Sequence, residues 1–562
     1  MRLIKTREKI QMGFTTLGGL FRESVTKYDN HPALSFVDEK PLTYSDMDSM
    51  VNSVMCLLEK LDVKAGDKVG LLSSNQPNWG VAYFALVSMG VVVVPILPDF
   101  HEDEIENILN HSEATGLFVS ENLFRKVKSE VVDALNFMIL VDNFALIQKE
   151  ITFNQLANLQ PAIVDGEKPQ MIYQGDKSEI ASIIYTSGTT GKSKGVMLSH
   201  WNLVFTVLNA SKIHEIGTRD RLLSVLPLSH TLENTVAFLL PFHRGASIAY
   251  MKKPPTPAVL LPALQSVKPT IILSVPLIIE KVYKGKVLPN INSKAITRVL
   301  YKVAPTRKLL NGVAGKKLME TFGGNLEFFG IGGAKLDPGV ERFMIEAKFP
   351  YAVGYGLTET APLLAGFDSF KGKFQSTGPA MEGVMLKIHN PDPISGEGEI
   401  WAKGDNVMKG YFKEPELTAE VITEDGWFRT GDLGCFDDSG YLSIKGRLKN
   451  MIVGASGENI YPEEIEAIIN RFKHVLESVV IQKKGKLVAM VHFNREELEL
   501  KFKDLKEQAN HYIDTYLEEL TTELQQFVNS KVNKFSKLQM VIAHAEPFEK
   551  TATKKIKRFL YY

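Results

Sequence analysis

An apolar run, Ile180 to Ile184, leads directly into Tyr185-Thr186-Ser187-Gly188-Thr189-Thr190-Gly191-Lys192-Ser193-Lys194-Gly195. Three glycines, five Ser/Thr hydroxyls and two lysines in eleven residues present backbone N–H groups, O–H donors and positive charge at the end of a buried strand. That chemistry suits a phosphate chain. A solvated flexible turn would not need hydroxyls packed so densely beside lysines. Gly191-Lys192-Ser193 imitates the tail of a Walker A loop, but that motif requires a glycine where Thr186 stands, which disfavours a kinase-like P-loop.

The rest of the chain limits the architecture around this loop. At roughly 150 residues per domain, 562 residues correspond to about four lobes. The hydrophobic share of 44% and charged share of 23% are those of a globular protein and argue against a disordered or coiled-coil chain. Lys+Arg and Asp+Glu balance at 65 each, so no long-range field draws in a nucleic acid or an anionic membrane, and only a local basic patch is left to act on either. Cys56 and Cys435 are the only cysteines, too few for a disulfide framework or an all-cysteine zinc site, and a reducing cytoplasmic setting is expected. Arg2, Lys5, Arg7 and Lys9 precede no apolar run of signal-peptide length, so export is not expected.

One stretch imitates a membrane span. Trp79 to Pro98 carries no charge, but Gly90 and the four valines after it break the pattern of one helix. A buried helix over Val81 to Met89 followed by a strand over Val91 to Ile96 is expected. Leu326 to Ile331 predicts a strand, Asp337 and Pro338 predict the cap and first turn of a helix through Ala347, and Pro350 to Val353 starts another strand. This is the strand–helix–strand unit of a parallel sheet. Short strands and glycine turns from about 372 to 445 predict a β-rich subdomain.

Near the C-terminus, Tyr461-Pro462-Glu463-Glu464 opens a helix, and Val475 to Ile481 and Lys486 to Phe493 predict strands. Apolar residues at steps of three or four from Leu498 to Phe527 predict a helical stripe, too long for one ordinary helix without a break or a partner surface.

Further motifs complete a pattern. Gly354-Tyr355-Gly356-Leu357-Thr358-Glu359-Thr360 is no dinucleotide fingerprint, since that would need glycine at 359; Tyr355 offers a ring to adenine and Glu359 a hard oxygen to Mg²⁺. Trp427 to Gly434 contains Asp432, a carboxylate able to accept two ribose hydroxyls, and Gly446-Arg447-Leu448-Lys449 follows. In this order, the motifs resemble those of the adenylate-forming superfamily of acyl-CoA synthetases, adenylation domains and luciferases.

The resemblance implies an α/β fold in two parts. A large multi-lobed N-terminal domain, residues 1–448, would hold parallel sheets with helices and the β-rich subdomain. A small α+β C-terminal domain, residues 449–562, would turn on a hinge at Lys449, next to Asn450 where many relatives carry an acid. The implied ATP site comprises Thr186, Ser187, Gly188, Thr189, Thr190, Gly191, Lys192 and Lys194, with Gly332, Gly333, Ala334, Tyr355, Gly356, Thr358, Asp432 and Arg447. Mg²⁺ would lie near Thr186 and Glu359. Lys550 to Arg558 resembles the terminal motif, in which Lys555 is the implied catalytic lysine and Lys554 the fallback, standing where the family has glycine.

Gly454, Ser456, Gly457 and Glu458 fall in the loop implied to meet CoA. Leu226 to Glu233 resembles the acyl-site segment of long-chain enzymes, with His230 and Gly333 beside the acyl chain; Ser229 to Leu232 holds no aspartate to bind a substrate ammonium. Activation of a medium- to long-chain fatty acid with ATP and CoA is the implied function. The alternatives are an acyl carrier protein as acceptor, an aromatic acid as substrate, or a non-catalytic nucleotide or lipid sensor. A homodimer and a peripheral membrane contact stay open.

Overall fold

The computed structural model describes residues 14–170, 173, 175–187, 193–293, 295–453, 459–483, 485–501, 509–551 and 556–562. Two eight-stranded sheets dominate it. The first runs Leu363–Gly366, Tyr351–Gly356, Phe328–Ile331, Ile271–Ser274, Arg221–Ser224, Ser247–Tyr250, Pro32–Phe36 and Leu42–Thr43. The second runs Gly410–Tyr411, Ser193–Ser199, Ile180–Ser187, Val92–Ile96, Lys68–Leu72, Gly116–Val119, Phe137–Leu140 and Leu146–Ile147. Both are parallel in their interiors and antiparallel at their edges. Parallel interiors are covered on both faces, so their strands are apolar runs.

The uncharged stretch Trp79 to Pro98 resolves as a helix and a strand. Helix Pro77–Ser88 is buried almost throughout, and Gly80 meets Leu34 of the first sheet and Phe238 so closely that a Cβ would come within 2.9 Å. Its rings pack on Phe21, Phe238 and Phe242. Gly90, at φ +73°, turns the chain into the wholly buried strand Val92–Ile96. The apolar length is therefore the requirement of double burial. Among the described residues, no helix is long and apolar enough to cross a membrane.

The predicted crossover is present: Phe328–Ile331, helix Pro338–Ala347 capped by Asp337, and the parallel strand Tyr351–Gly356. The β-rich segment forms a four-stranded antiparallel sheet of Met385–His389, Gly398–Lys403, Phe428–Phe436 and Leu442–Arg447. Gly410–Tyr411 leaves it to pair with Ser193–Ser199 instead.

The smaller C-terminal part packs helix Pro462–Ile469 and helix Ala509–Asn529 on a three-stranded sheet of Val475–Lys483, Lys486–Phe493 and Met540–Ala543. The stripe from Leu498 to Phe527 is divided between helices Arg495–Lys501 and Ala509–Asn529, with 502–508 outside the described residues.

Candidate active site

The phosphate-loop candidate sits on a hairpin. Ile180–Ser187 pairs antiparallel with Ser193–Ser199, setting Thr186 opposite Lys194 and Ser187 opposite Ser193. The chain returns as a strand because Gly195, Val196 and Leu198 are buried, and the helix His200–Ala210 starts only after the Ser199 cap. Gly188, Thr189, Thr190, Gly191 and Lys192 lie outside the described residues. Tyr185 is buried at the base of the hairpin, with its hydroxyl 2.7 Å from His111 Nδ1.

A second strand end converges here. Tyr351–Gly356 passes through Leu357 into a single 3₁₀ turn, Thr358–Thr360, which holds Glu359 half-buried. The Tyr411 hydroxyl donates to Glu359 Oε1 at 2.9 Å, and the ammonium of Lys194 lies 5.2 Å from the centre of the same ring. Tyr411 thus links the hairpin to Glu359, and burial together with that carboxylate pushes its pKa above the usual tyrosine range. No sequence reading marked Tyr411, because its place depends on the pairing of Tyr411 with Val196, far away in the chain.

Among the described residues, no three His, Cys, Asp or Glu side chains cluster as a complete metal site. One carboxylate with an oxygen left over from the Tyr411 bond fits Mg²⁺, which commonly takes one or two carboxylates and completes its shell with water and substrate phosphates.

Asp432 stands 5% exposed between two donors. The Tyr355 hydroxyl donates to Oδ2 at 2.8 Å, and Arg447 Nε lies 2.8 Å from Oδ1, opposite Asp432 in the ladder of the small sheet. Burial and then the charge of Asp432 drive the Tyr355 pKa well up. Burial works against the Arg447 cation, but Asp432 together with Tyr355, Glu359 and Glu463 outweighs it and raises the pKa. The guanidinium side chain keeps 45% of its exposure, so this group borders solvent.

The acyl-site segment and the Gly332-Gly333-Ala334 turn meet: a Cβ on Gly332 would lie 3.0 Å from Leu232 Cδ2. Gly333 has φ +84° with its nearest neighbour, Val275 Cγ1, at 3.7 Å from a built Cβ, so the turn requires glycine and still leaves room beside it. Ala334 is exposed. His230 is half-buried and its Nδ1 accepts the Leu232 N–H at 3.3 Å.

Behind it, Glu233 is fully buried at the start of a π-helix, Glu233–Leu239. Its Oε1 accepts from Ser224 Oγ at 2.5 Å, Oε2 has no partner among the described residues, and burial pushes its pKa up to about 8. The folded state therefore holds a proton that the unfolded chain releases near pH 4.5, and stability falls as pH rises from there towards 8. Glu233→Gln is expected to remove this slope and to raise stability at pH 8 by up to a few kcal/mol. Urea denaturation at pH 5 and pH 8 measures it; an identical slope in the variant would show that Glu233 is ionised in the fold.

Lys449 is exposed in a 3₁₀ turn, Leu448–Asn450, just after the strand that ends at Arg447. Asn450, next to Lys449, donates Nδ2 to Glu463 Oε1 at 2.6 Å, so an amide here meets an acid on the next helix. Gly454, Ser456, Gly457 and Glu458 lie outside the described residues; on either side of them Val453 pairs with Asn459. Lys555 and Lys554 also lie outside; Lys550 pairs with Ile556 around them, and Arg558 is bonded to Glu466. Arg471 pins the C-terminal part to Asp337 at 2.7 Å.

A family model described as AMP-binding enzyme matches residues 21–412. The chain is 29% identical over 498 residues to long-chain-fatty-acid–CoA ligase heimdall of Drosophila melanogaster, covering 81% of this chain and 72% of that one. It is 29% identical to long-chain-fatty-acid–CoA ligase FadD15 of Mycobacterium bovis, over 78% of this chain and 75% of that one. The fold matches ATP-bound MatB from Rhodopseudomonas palustris at a TM-score of 0.75 and 22% identity, over 97% and 98% of the two chains. With the convergent hairpin, Glu359 turn and Asp432 cluster, these matches establish that the chain belongs to the AMP-binding enzyme family.

Proposed function

We propose that this chain activates a medium- to long-chain fatty acid in two half-reactions. The carboxylate attacks the α-phosphorus of ATP, forming acyl-AMP and releasing pyrophosphate; the CoA thiol then attacks the acyl carbon and AMP leaves. The first step asks the protein for positioning and charge neutralisation more than for covalent chemistry. Thr186 to Lys194 hold the β- and γ-phosphates, Asp432 and Arg447 hold the ribose, Tyr355 lies beside the adenine, and Glu359 holds Mg²⁺. When bound, Mg²⁺ supplies positive charge to the phosphate oxygens. Lys555 brings the carboxylate against the α-phosphate. The part from Lys449 onward then turns, and Gly454 to Glu458 meet the pantetheine arm.

One observation carries the choice of acid. The segment Leu226 to Glu233 touches the Gly332 turn through Leu232, and its single carboxylate, Glu233, is turned into the core and held protonated, so no anion there meets a substrate ammonium. An apolar tail suits that wall. The names of the two relatives above support the same substrate class. Pyrophosphate release measured over straight-chain acids tests it: kcat/KM should climb with length by up to about fourfold per methylene, the worth of a buried CH₂. A preference for acetate or coumarate would exclude the long-chain assignment and leave the adenylate chemistry standing.

A further inference from the structure

From Lys281 to Met319 the chain carries ten lysines and arginines and no aspartate or glutamate, although the whole protein balances its charges. The span is largely helical, with Leu288–Asn292, Ala295–Tyr301 and Ala304–Thr321. Its amphipathicity is inverted for a helix in water. In the last helix the buried positions are Asn311, Gly315 and Leu318, whereas Leu309 is 71% exposed and Val313, one turn on, is exposed as well. Ile296, Val299, Leu300 and Val303, spaced i, i+3, i+4, i+7, form a second exposed apolar stripe, with Ile296 at 73%.

The orientation is fixed from inside. Gly315 packs so closely on Ala347 that a Cβ would come within 2.7 Å, Asn311 Nδ2 donates to Glu346 at 2.7 Å, and Arg307 makes a forked pair with Glu346. The helix cannot roll its leucine inward without breaking these contacts. Among the described residues, Arg307 is the only cation of the span in an ion pair.

We propose that this helical face docks on an anionic lipid bilayer. Apolar side chains enter the headgroup boundary while lysines and arginines around them meet lipid phosphates, the two signals that stable peripheral binding requires. The complementarity selects this occupant. A second copy of the same face would bring like charges together, and a nucleic acid would gain nothing from aliphatic Ile296, Leu309 and Val313. The inference holds whichever acid the enzyme activates.

Sedimentation of the full chain with phosphatidylcholine vesicles, with and without phosphatidylglycerol, tests it. Binding is expected on the phosphatidylglycerol vesicles, with at least about tenfold less on neutral ones and loss in high salt. The pair Ile296→Asp with Leu309→Asp and the pair Lys302→Glu with Lys308→Glu should each lower the bound fraction about tenfold. Both pairs lie at exposed positions and should leave adenylate formation from a soluble short acid unchanged, which also shows that they fold. Absence of vesicle binding, equal binding to neutral vesicles, or binding unchanged in both variants would overturn the proposal. So would a wild-type dimer in lipid-free solution that either pair dissociates, or binding to an RNA homopolymer that Ile296→Asp with Leu309→Asp leaves intact.

Discussion

Lys555→Ala is expected to slow acyl-adenylate formation by about 10² to 10³ while thiolysis of supplied acyl-AMP proceeds nearly as before. Two anions, the substrate carboxylate and the α-phosphate, must approach within bonding distance, and an ammonium between them offsets a repulsion that grows as water is excluded. In the second half-reaction the attacking group is a thiol, and the proposed turn of the C-terminal part carries the lysine away. Of the described residues on either side, Lys550 pairs with Ile556, the Lys557 N–H bonds to the Glu549 carbonyl at 2.8 Å, and Arg558 is tied to Glu466, whose Oε1 accepts the Val480 N–H at 2.6 Å. Pyrophosphate exchange and acyl-CoA yield from synthetic acyl-AMP separate the two steps. Equal loss of both would assign Lys555 to folding, and full activity in Lys555→Ala with loss in Lys554→Ala would move the role one residue back.

What was legible in the sequence was local. Asp337 and Pro338 gave the helix that starts there because a cap and a first-turn proline act within one turn, and the Asp337 carboxylate does accept the N–H groups of Gly339 and Val340. Gly90 marked the boundary between helix and strand because only glycine turns easily at its positive φ. The partners of the site residues were not legible, since each is set by pairing between distant segments. Tyr411 reaches Glu359 only because a two-residue strand leaves the small sheet and joins the hairpin. The return of the phosphate loop as a strand was likewise hidden: Ser193 to Gly195 is polar and glycine-bearing, and the alternation of Val196 and Leu198 is too short to announce a strand.

The charge at Asp432 carries the second large effect. Asp432→Ala should raise the KM for ATP by about 10- to 100-fold, the range expected when hydrogen bonds from ribose hydroxyls to a carboxylate are lost. It should also destabilise the fold, because Tyr355 and Arg447 both direct donors at this carboxylate, and removal strands a buried phenol and a half-buried guanidinium. The solvent-facing side of Arg447 limits that cost by letting water replace part of the lost pair. Asp432→Asn separates the two consequences. The amide keeps one oxygen for the Tyr355 hydroxyl but turns an N–H₂ towards Arg447 or towards the ribose, so ATP affinity should fall nearly as far as in the alanine variant while thermal stability drops less. The pH response sharpens the comparison: removing the negative charge relieves its upward pull on Tyr355, so the phenol should titrate at lower pH in Asp432→Asn than in the wild type, which ultraviolet difference spectroscopy follows. If ATP affinity survives both substitutions while stability falls, Asp432 is an internal brace of the small sheet, and the nucleotide lies against other residues.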